Sequence, residues 1–156
     1  MAQQKKIAVL VSGGGTNLQA LIDAEKRGEL GAGKITLVIA SKPGVYALER
    51  AANAGIEGRV LARKDYDSIA AYSKALADEM TAADIDLVVL AGFLTIIDEQ
   101  VYEAFPNRII NVSSRGTLYT NFLLSVWLSI YALAKSEDCF PAVILLLVLI
   151  KSRYSK

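Results

Sequence analysis

The chain has 156 residues, a length that suits one domain. Its 17 basic and 16 acidic side chains leave a net charge of +1, which gives no electrostatic reason to expect nucleic acid or an anionic membrane as a partner. A single cysteine excludes an internal disulfide framework and fits a reducing compartment, so we expect a cytoplasmic protein. The chain contains no histidine.

Strands and helices are predicted to alternate along residues 1–112. Short apolar runs predict strands at 7–11, 35–40, 58–62, 86–91 and 108–112. Helical spacing or length predicts helices from residue 18 to 24, at 46–54, from a cap at Asp65 or Asp67 to 83, and at 98–104. In the third helix, apolar residues at 69, 72, 76 and 80 predict the buried stripe. This alternation predicts an α/β fold with a parallel sheet.

A glycine-rich segment, Ser-Gly-Gly-Gly-Thr-Asn at residues 12–17, joins the first strand to the first helix. A strand, a glycine turn and a helix start place backbone N–H groups around an anion. Thr16 or Asn17 is the candidate cap of the helix. We interpret the segment as a phosphate-binding loop; the alternative is a tight turn that binds nothing.

Two common phosphate motifs do not fit this loop. A nicotinamide-binding fingerprint needs glycine where Leu18 stands, and an acid after the second strand, where Ser41 and Lys42 stand. A P-loop needs a lysine after the glycines, and none follows them.

Four segments are predicted at the carboxyl edge of the sheet, where ligands bind in such folds. They are residues 13–17, 41–44 and 92–97, and Asn111. The apolar segment Gly-Phe-Leu at 92–94 either packs into the core or forms one side of a pocket for a flat aromatic ligand. The amide of Asn111, inside an apolar strand, either bonds to neighbouring backbone or donates to a developing oxyanion.

Four motifs stand out along residues 11–112: VSGGGTNLQA at 11–20, LERA at 48–51, VLAGFL at 89–94 and IINV at 109–112. On these motifs, residues 7–112 resemble the N-terminal part of the phosphoribosylglycinamide formyltransferases. The resemblance implies a Rossmann-like parallel sheet. It also implies transfer of a formyl group from 10-formyltetrahydrofolate, a co-substrate, to the amine of glycinamide ribonucleotide in purine biosynthesis, with no metal ion.

The resemblance also implies roles for particular residues. The substrate phosphate would be bound by Gly15, Thr16 and Asn17. The folate pocket would be lined by Leu94, Thr95, Ile96, Ile97 and Asn111. Asn111 would stabilise the tetrahedral intermediate, with a histidine two residues later and a distant aspartate supporting proton transfer.

The resemblance ends close to that histidine position. Ser113 stands where the family has histidine, and a serine hydroxyl does not titrate near neutral pH. The family's aspartate loop and its last strands and helix are missing. Ile69 and Thr95 replace basic residues that are common near folate. We therefore expect a truncated formyltransferase that is inactive as written.

Residues 113–156 form an apolar tail of a different character. Uncharged runs at 116–134 and 139–150 predict helices at 117–134 and 139–150. We expect two parts, a phosphate-binding part at 1–112 and a tail unlike the family at 113–156. A frame change in the gene explains the break better than a membrane hairpin does. The alternative function is a non-catalytic phosphate-binding half-domain whose tail associates with a membrane or a partner.

Overall fold

The computed structural model describes residues 4–112, which form a five-stranded parallel sheet with helices on both faces. The strands are β1 Lys5–Val11, β2 Gly33–Ala40, β3 Glu57–Val60, β4 Leu87–Ala91 and β5 Ile109–Val112. The helices are α1 Thr16–Lys26, α2 Tyr46–Asn53, α3 Ile69–Ala82 and α4 Glu99–Ala104, with a 3-10 turn at Arg63–Asp65. The predicted α/β fold with a Rossmann-like parallel sheet is confirmed.

Alternate side chains of the central strands enter two separate cores. Ile7, Val9 and Val11 of β1 pack with residues of α1 and α2 on one face. Ala8 and Leu10 pack with residues of α3 and α4 on the other. Because both faces are covered, β1 and β4 carry apolar residues in sequence rather than in alternation with polar ones. This is why a continuous apolar run was a sufficient signal for each of these strands.

The strand order is β3-β2-β1-β4-β5, so β1 lies in the middle of the sheet. The chain builds outward from β1 to β3, then crosses back through α3 to place β4 on the other side of β1. The loops that follow β1 and β4 therefore diverge at the carboxyl edge. A crevice at such a reversal is the usual ligand site of an open α/β sheet.

The start of α3 differs from the prediction. Ser68, and neither Asp65 nor Asp67, is the N-cap, and its Oγ accepts a hydrogen bond of 3.0 Å from Ala71 N. Asp65 instead belongs to the preceding 3-10 turn. Ile69, predicted as buried, is 37% exposed because it occupies the first position of the helix, before the stripe reaches the sheet. The other predicted stripe residues, at 72, 76 and 80, are buried as expected.

Other boundaries shift by one or two residues. β3 was predicted at 58–62 but runs from Glu57 to Val60, although Leu61 and Ala62 are still buried. Asp98 is the N-cap of α4 and not its first residue. Gly55 follows α2 with φ of 70°, the conformation expected of a glycine just past a helix.

The tail lies outside the described residues, so the helices predicted at 117–134 and 139–150 stay predictions. Between residues 4 and 112, no helix has both the length and the apolar character needed to cross a bilayer.

Tyr72 of α3 is buried in the core with an unusual hydroxyl. Its ring packs edge-on against Tyr66, with centroids 5.4 Å apart. The hydroxyl has no hydrogen-bond partner within residues 4–112. Burial raises the pKa of Tyr72 to about 12 and Tyr66 adds to the rise, while Arg63 and an approach by Thr95 partly offset it. Thr95 lies close enough to lower the pKa, but its contact with the hydroxyl does not have the geometry of a hydrogen bond.

We expect Tyr72→Phe to leave stability near neutral pH unchanged or to raise it, because an unpartnered buried hydroxyl costs about 1–3 kcal/mol. The folded-state pKa lies above the ordinary value of about 10. The contribution of Tyr72 to stability is therefore complete below about pH 10 and is lost as pH rises toward about 12. Urea unfolding from neutral to alkaline pH should show a smaller alkaline loss in Tyr72→Phe than in the parent chain.

Tyr66→Phe is the comparison variant: it removes the hydroxyl of half-buried Tyr66 and should keep most of the alkaline loss, because burial is the larger cause of the raised Tyr72 pKa. An alkaline loss of stability in Tyr72→Phe as large as in the parent chain would contradict this account of the Tyr72 hydroxyl.

Candidate functional site

The glycine-rich loop ends at Gly15, which is the N-cap of α1 with φ of 72°. The expectation that Thr16 or Asn17 caps the helix is wrong, because both already belong to its first turn. Glycine has no side chain, and no side-chain hydrogen bond caps α1. A serine or aspartate cap would satisfy one of the first-turn N–H groups. Here those donors stay available, so the start of α1 suits an anion.

α2 packs closely against this loop. A Cβ at Gly15 would lie 2.7 Å from Ala47 Cβ, closer than real Cβ contacts come. Ala47 N donates to Gly13 O at 3.4 Å, and Arg50 Nε donates to Gly14 O at 2.9 Å. Sequence reasoning gave Arg50 no role beyond its place in the LERA motif. A glycine and an arginine that are 36 residues apart give no signal of such a contact in the sequence.

Two buried serines connect three loops at the carboxyl edge. Ser12 Oγ and Ser41 Oγ are 2.7 Å apart, and Leu94 N donates to Ser12 Oγ at 2.9 Å. The loops after β1, β2 and β4 are thereby joined through one hydroxyl. The sequence identified Ser41 only as a turn residue standing where an acid was absent. At the position where a nicotinamide-binding fold has an acid, this chain has Ser41, whose hydroxyl forms a hydrogen bond with Ser12.

A pocket of about 260 Å³ opens where these loops meet. It is lined by Gly13, Gly14, Gly15, Thr16, Asn17, Ala91, Gly92, Phe93, Leu94 and Asn111. Three of the four segments expected at the carboxyl edge thus surround one space. The fourth, residues 41–44, does not line it and contributes through Ser41 behind the loop. Throughout residues 4–112, no group of three or more histidine, cysteine, aspartate or glutamate side chains could hold a metal ion.

The segment after β4 supports both interpretations offered for it. Phe93 packs against the second core, while Leu94 is 66% exposed and lines the pocket. Thr95, Ile96 and Ile97 do not line this pocket. Ile96 is 71% exposed, and Ile97 packs against the second core.

Asn111 reaches the pocket from β5, where it is paired with Leu90 of β4. Its side chain is exposed, so water can satisfy the amide and no protein partner is required. That geometry suits a donor directed at a ligand better than one bonded to neighbouring backbone. Asn17 Nδ2 makes a long contact of 3.5 Å with Val112 O, which brings α1 beside the end of β5.

Comparison with known proteins places this chain in a class. The sequence profile of the formyl transferase family matches residues 5–114. The chain therefore belongs to the formyl transferase family.

The relatives of this chain include a phosphoribosylglycinamide formyltransferase and a trifunctional purine biosynthetic protein. The protein of that name from Haemophilus influenzae is 41% identical over 108 residues, which are 69% of this chain and 50% of that protein. The trifunctional purine biosynthetic protein adenosine-3 of Drosophila melanogaster is 40% identical over 111 residues, 70% of this chain and 8% of that protein.

A solved structure supports the same assignment. The glycinamide ribonucleotide transformylase 1 of Symbiobacterium toebii superposes with a TM-score of 0.68 at 39% identity, covering 71% of this chain and 52% of that one. The chain thus spans about half the length of the Haemophilus influenzae and Symbiobacterium toebii proteins. The resemblance on the four sequence motifs is confirmed.

We expect Gly15→Ala to lower the free energy of unfolding by about 1–3 kcal/mol, because alanine is strained at this φ and its Cβ collides with Ala47. Gly14→Ala is the matched control, since a Cβ there meets nothing within 4 Å. Urea unfolding of both variants measures the difference. Equal effects of the two substitutions would show that α2 does not constrain the loop.

Proposed function

We propose that residues 4–112 form the ribonucleotide-phosphate-binding part of a phosphoribosylglycinamide formyltransferase. The substrate is glycinamide ribonucleotide and the formyl donor is 10-formyltetrahydrofolate. The observation that carries this proposal is the pocket in which the uncapped start of α1, the loop after β4 and Asn111 face one another. The single cysteine favours a reducing, cytoplasmic compartment.

In this proposal the phosphate is held by Gly15, Thr16 and Asn17. Backbone N–H groups of the first helical turn donate to its oxygens, and the positive end of the helix dipole favours its charge. Asn17 also contacts the end of β5. The phosphate therefore anchors the nucleotide in the same space that Asn111 lines.

The folate co-substrate is assigned to the loop after β4, with Asn111 beside it. Leu94 lines the pocket with an exposed side chain, which suits contact with a flat aromatic ring. Thr95, Ile96 and Ile97 extend from Leu94 and remain part of this proposal, outside the 260 Å³ space that the described residues enclose.

The chemistry requires more than these residues. An amine that attacks a formamide generates a proton and an oxyanion. Asn111 supplies one donor to the oxyanion. The family resemblance assigns proton transfer to a histidine, where this chain has Ser113, and the 156 residues contain no histidine. We therefore propose that the chain binds the ribonucleotide phosphate and, as written, transfers formyl groups slowly or not at all.

The division of the chain follows from the same argument. Residues 1–112 are proposed as the phosphate-binding part and residues 113–156 as a tail unlike the family. The matched family profile ends at residue 114, which supports a change of character near that position.

Calorimetric titration of the full chain tests the binding step. Glycinamide ribonucleotide should bind at least about tenfold more tightly than glycinamide riboside, which lacks the phosphate, because each charge-assisted hydrogen bond contributes about 1.5–3 kcal/mol. The riboside is the matched control ligand. Equal affinity for the two compounds would contradict phosphate recognition by the loop.

A formyl-transfer assay tests the catalytic step. We expect the parent chain and Ser113→His to be far below a chimera in which residues 113–156 are replaced by the C-terminal segment of the Haemophilus influenzae relative. A general acid–base group contributes about 10²–10⁴ in rate, and groups that act as a unit do not add independently. Turnover by the parent chain comparable to that of the chimera would refute the proposal of inactivity.

In the chimera, Asn111→Ala should lower the rate about 10²–10³-fold through loss of the oxyanion donor.

A further inference from the structure

Arg50 joins three parts of the structure behind the phosphate loop. Its Nε donates to Gly14 O at 2.9 Å, and its Nη1 donates to Gln19 Oε1 in α1 at 3.0 Å. The guanidinium also lies over the ring of Tyr46, 4.8 Å from the centroid. One planar group thus fixes the loop, the first turns of α1 and the start of α2 relative to one another. The proposed function assigns no role to this arginine.

The contacts fix the direction of two peptide planes. Gly13 O accepts from Ala47 N, and Gly14 O accepts from Arg50, so both carbonyls point toward α2. In a trans peptide the C=O and the following N–H point in opposite directions. The N–H groups of Gly14 and Gly15 therefore point away from α2. The pocket lies on that other side, since residues 13–17 line it and no residue of α2 does.

We propose that Arg50 is a positioning residue for a phosphate monoester. It orients the loop so that the N–H groups of Gly14 and Gly15 join those of the first turn of α1 around the phosphate. This inference rests on the proposed function of the loop. Arg50 itself does not line the pocket, so it acts through the loop and not by contact with the ligand.

The role depends on the shape of the guanidinium as well as on its charge. Nε and Nη1 belong to one rigid planar group whose N–H groups point in different directions and reach two partners at the same time. A lysine ammonium at this position would keep the charge but could not hold the Gly14 carbonyl and the Gln19 amide in one fixed arrangement. Arg50→Lys and Arg50→Gln are therefore expected to behave alike.

The test uses the full chain labelled with ¹⁵N-glycine, which contains 11 glycines and so gives a simple spectrum. The variants are Arg50→Lys, Arg50→Gln and the control Arg27→Gln. Arg27 pairs with Glu29 at the far end of α1. Without ligand, both Arg50 variants should shift the amide signals of Gly13, Gly14 and Gly15. The signals of Gly28 and Gly31, beyond the far end of α1, should not move.

Calorimetry on the same proteins measures binding of glycinamide ribonucleotide and of inorganic phosphate. Both Arg50 variants should raise the Kd of each about ten- to a hundredfold, at a temperature where urea unfolding shows every variant to be folded. Arg27→Gln should bind as the parent chain does. A merely stabilising role would lower the unfolding midpoint of the Arg50 variants and leave the Kd of the folded protein unchanged.

Three results would overturn the inference: unmoved loop glycine signals, an unchanged Kd in Arg50→Gln, or full affinity in Arg50→Lys. Failure of the proposed function looks different. In that case the parent chain would bind neither the ribonucleotide nor phosphate, while the glycine signals would still decide whether Arg50 orients the loop.

Discussion

The close contact between Gly15 and Ala47 is the constraint on which the candidate site depends. α2 can approach the first loop only because residue 15 has no Cβ. That approach brings Ala47 N and Arg50 within reach of the loop carbonyls. It also requires the left-handed conformation that makes Gly15 the cap of α1. Because residue 15 has no side chain, no side-chain hydrogen bond caps α1, and α2 can pack directly against the loop beside the pocket.

The second link across the site is the hydroxyl of Ser12. Ser12 directly follows β1, and its Oγ is hydrogen-bonded to Ser41 Oγ after β2 and accepts from Leu94 N after β4. The loop proposed for phosphate and the loop proposed for folate therefore share a buried hydrogen-bonded atom. Removal of that hydroxyl would leave a backbone donor without its partner, at a cost of about 1–3 kcal/mol. The relative position of these two loops is thus fixed by contacts within the protein itself.

The fold was predictable because its central strands, β1, β2 and β4, are buried on both faces and because a glycine marks the end of α2. Continuous apolar runs located β1 and β4, and Gly55 marked the end of α2. The start of α3 was not predictable from composition, because several polar residues compete to cap it. Residues 65–68 read Asp-Tyr-Asp-Ser. Asp65 belongs to the 3-10 turn at Arg63–Asp65, and Ser68 is the N-cap of α3.

The site was predictable only to the level of segments. Parallel strands bring their carboxyl ends to one edge, so residues 13–17, 92–94 and Asn111 could be placed together from topology alone. The contacts Ser12–Ser41 and Arg50–Gly14 could not be predicted. They join residues 29 and 36 positions apart, respectively, and depend on side-chain directions that no local sequence pattern encodes. The same limit led to the wrong cap for α1, since the preference for Thr16 or Asn17 ignored the space that α2 occupies.

In the proposed function, phosphate binding and formyl transfer depend on different parts of this chain. The contacts that shape the phosphate loop lie between β1 and α2, in residues 5–53, and are complete within the described structure. The proposed oxyanion donor comes from β5, at the last strand of that structure. The family resemblance implies a proton-transfer histidine two residues later, and this chain has Ser113 at that position. In the proposed function, anion recognition depends on backbone groups held by local packing, so it does not require the proton-transfer side chain. Formyl transfer needs a titratable side chain, which backbone donors cannot supply.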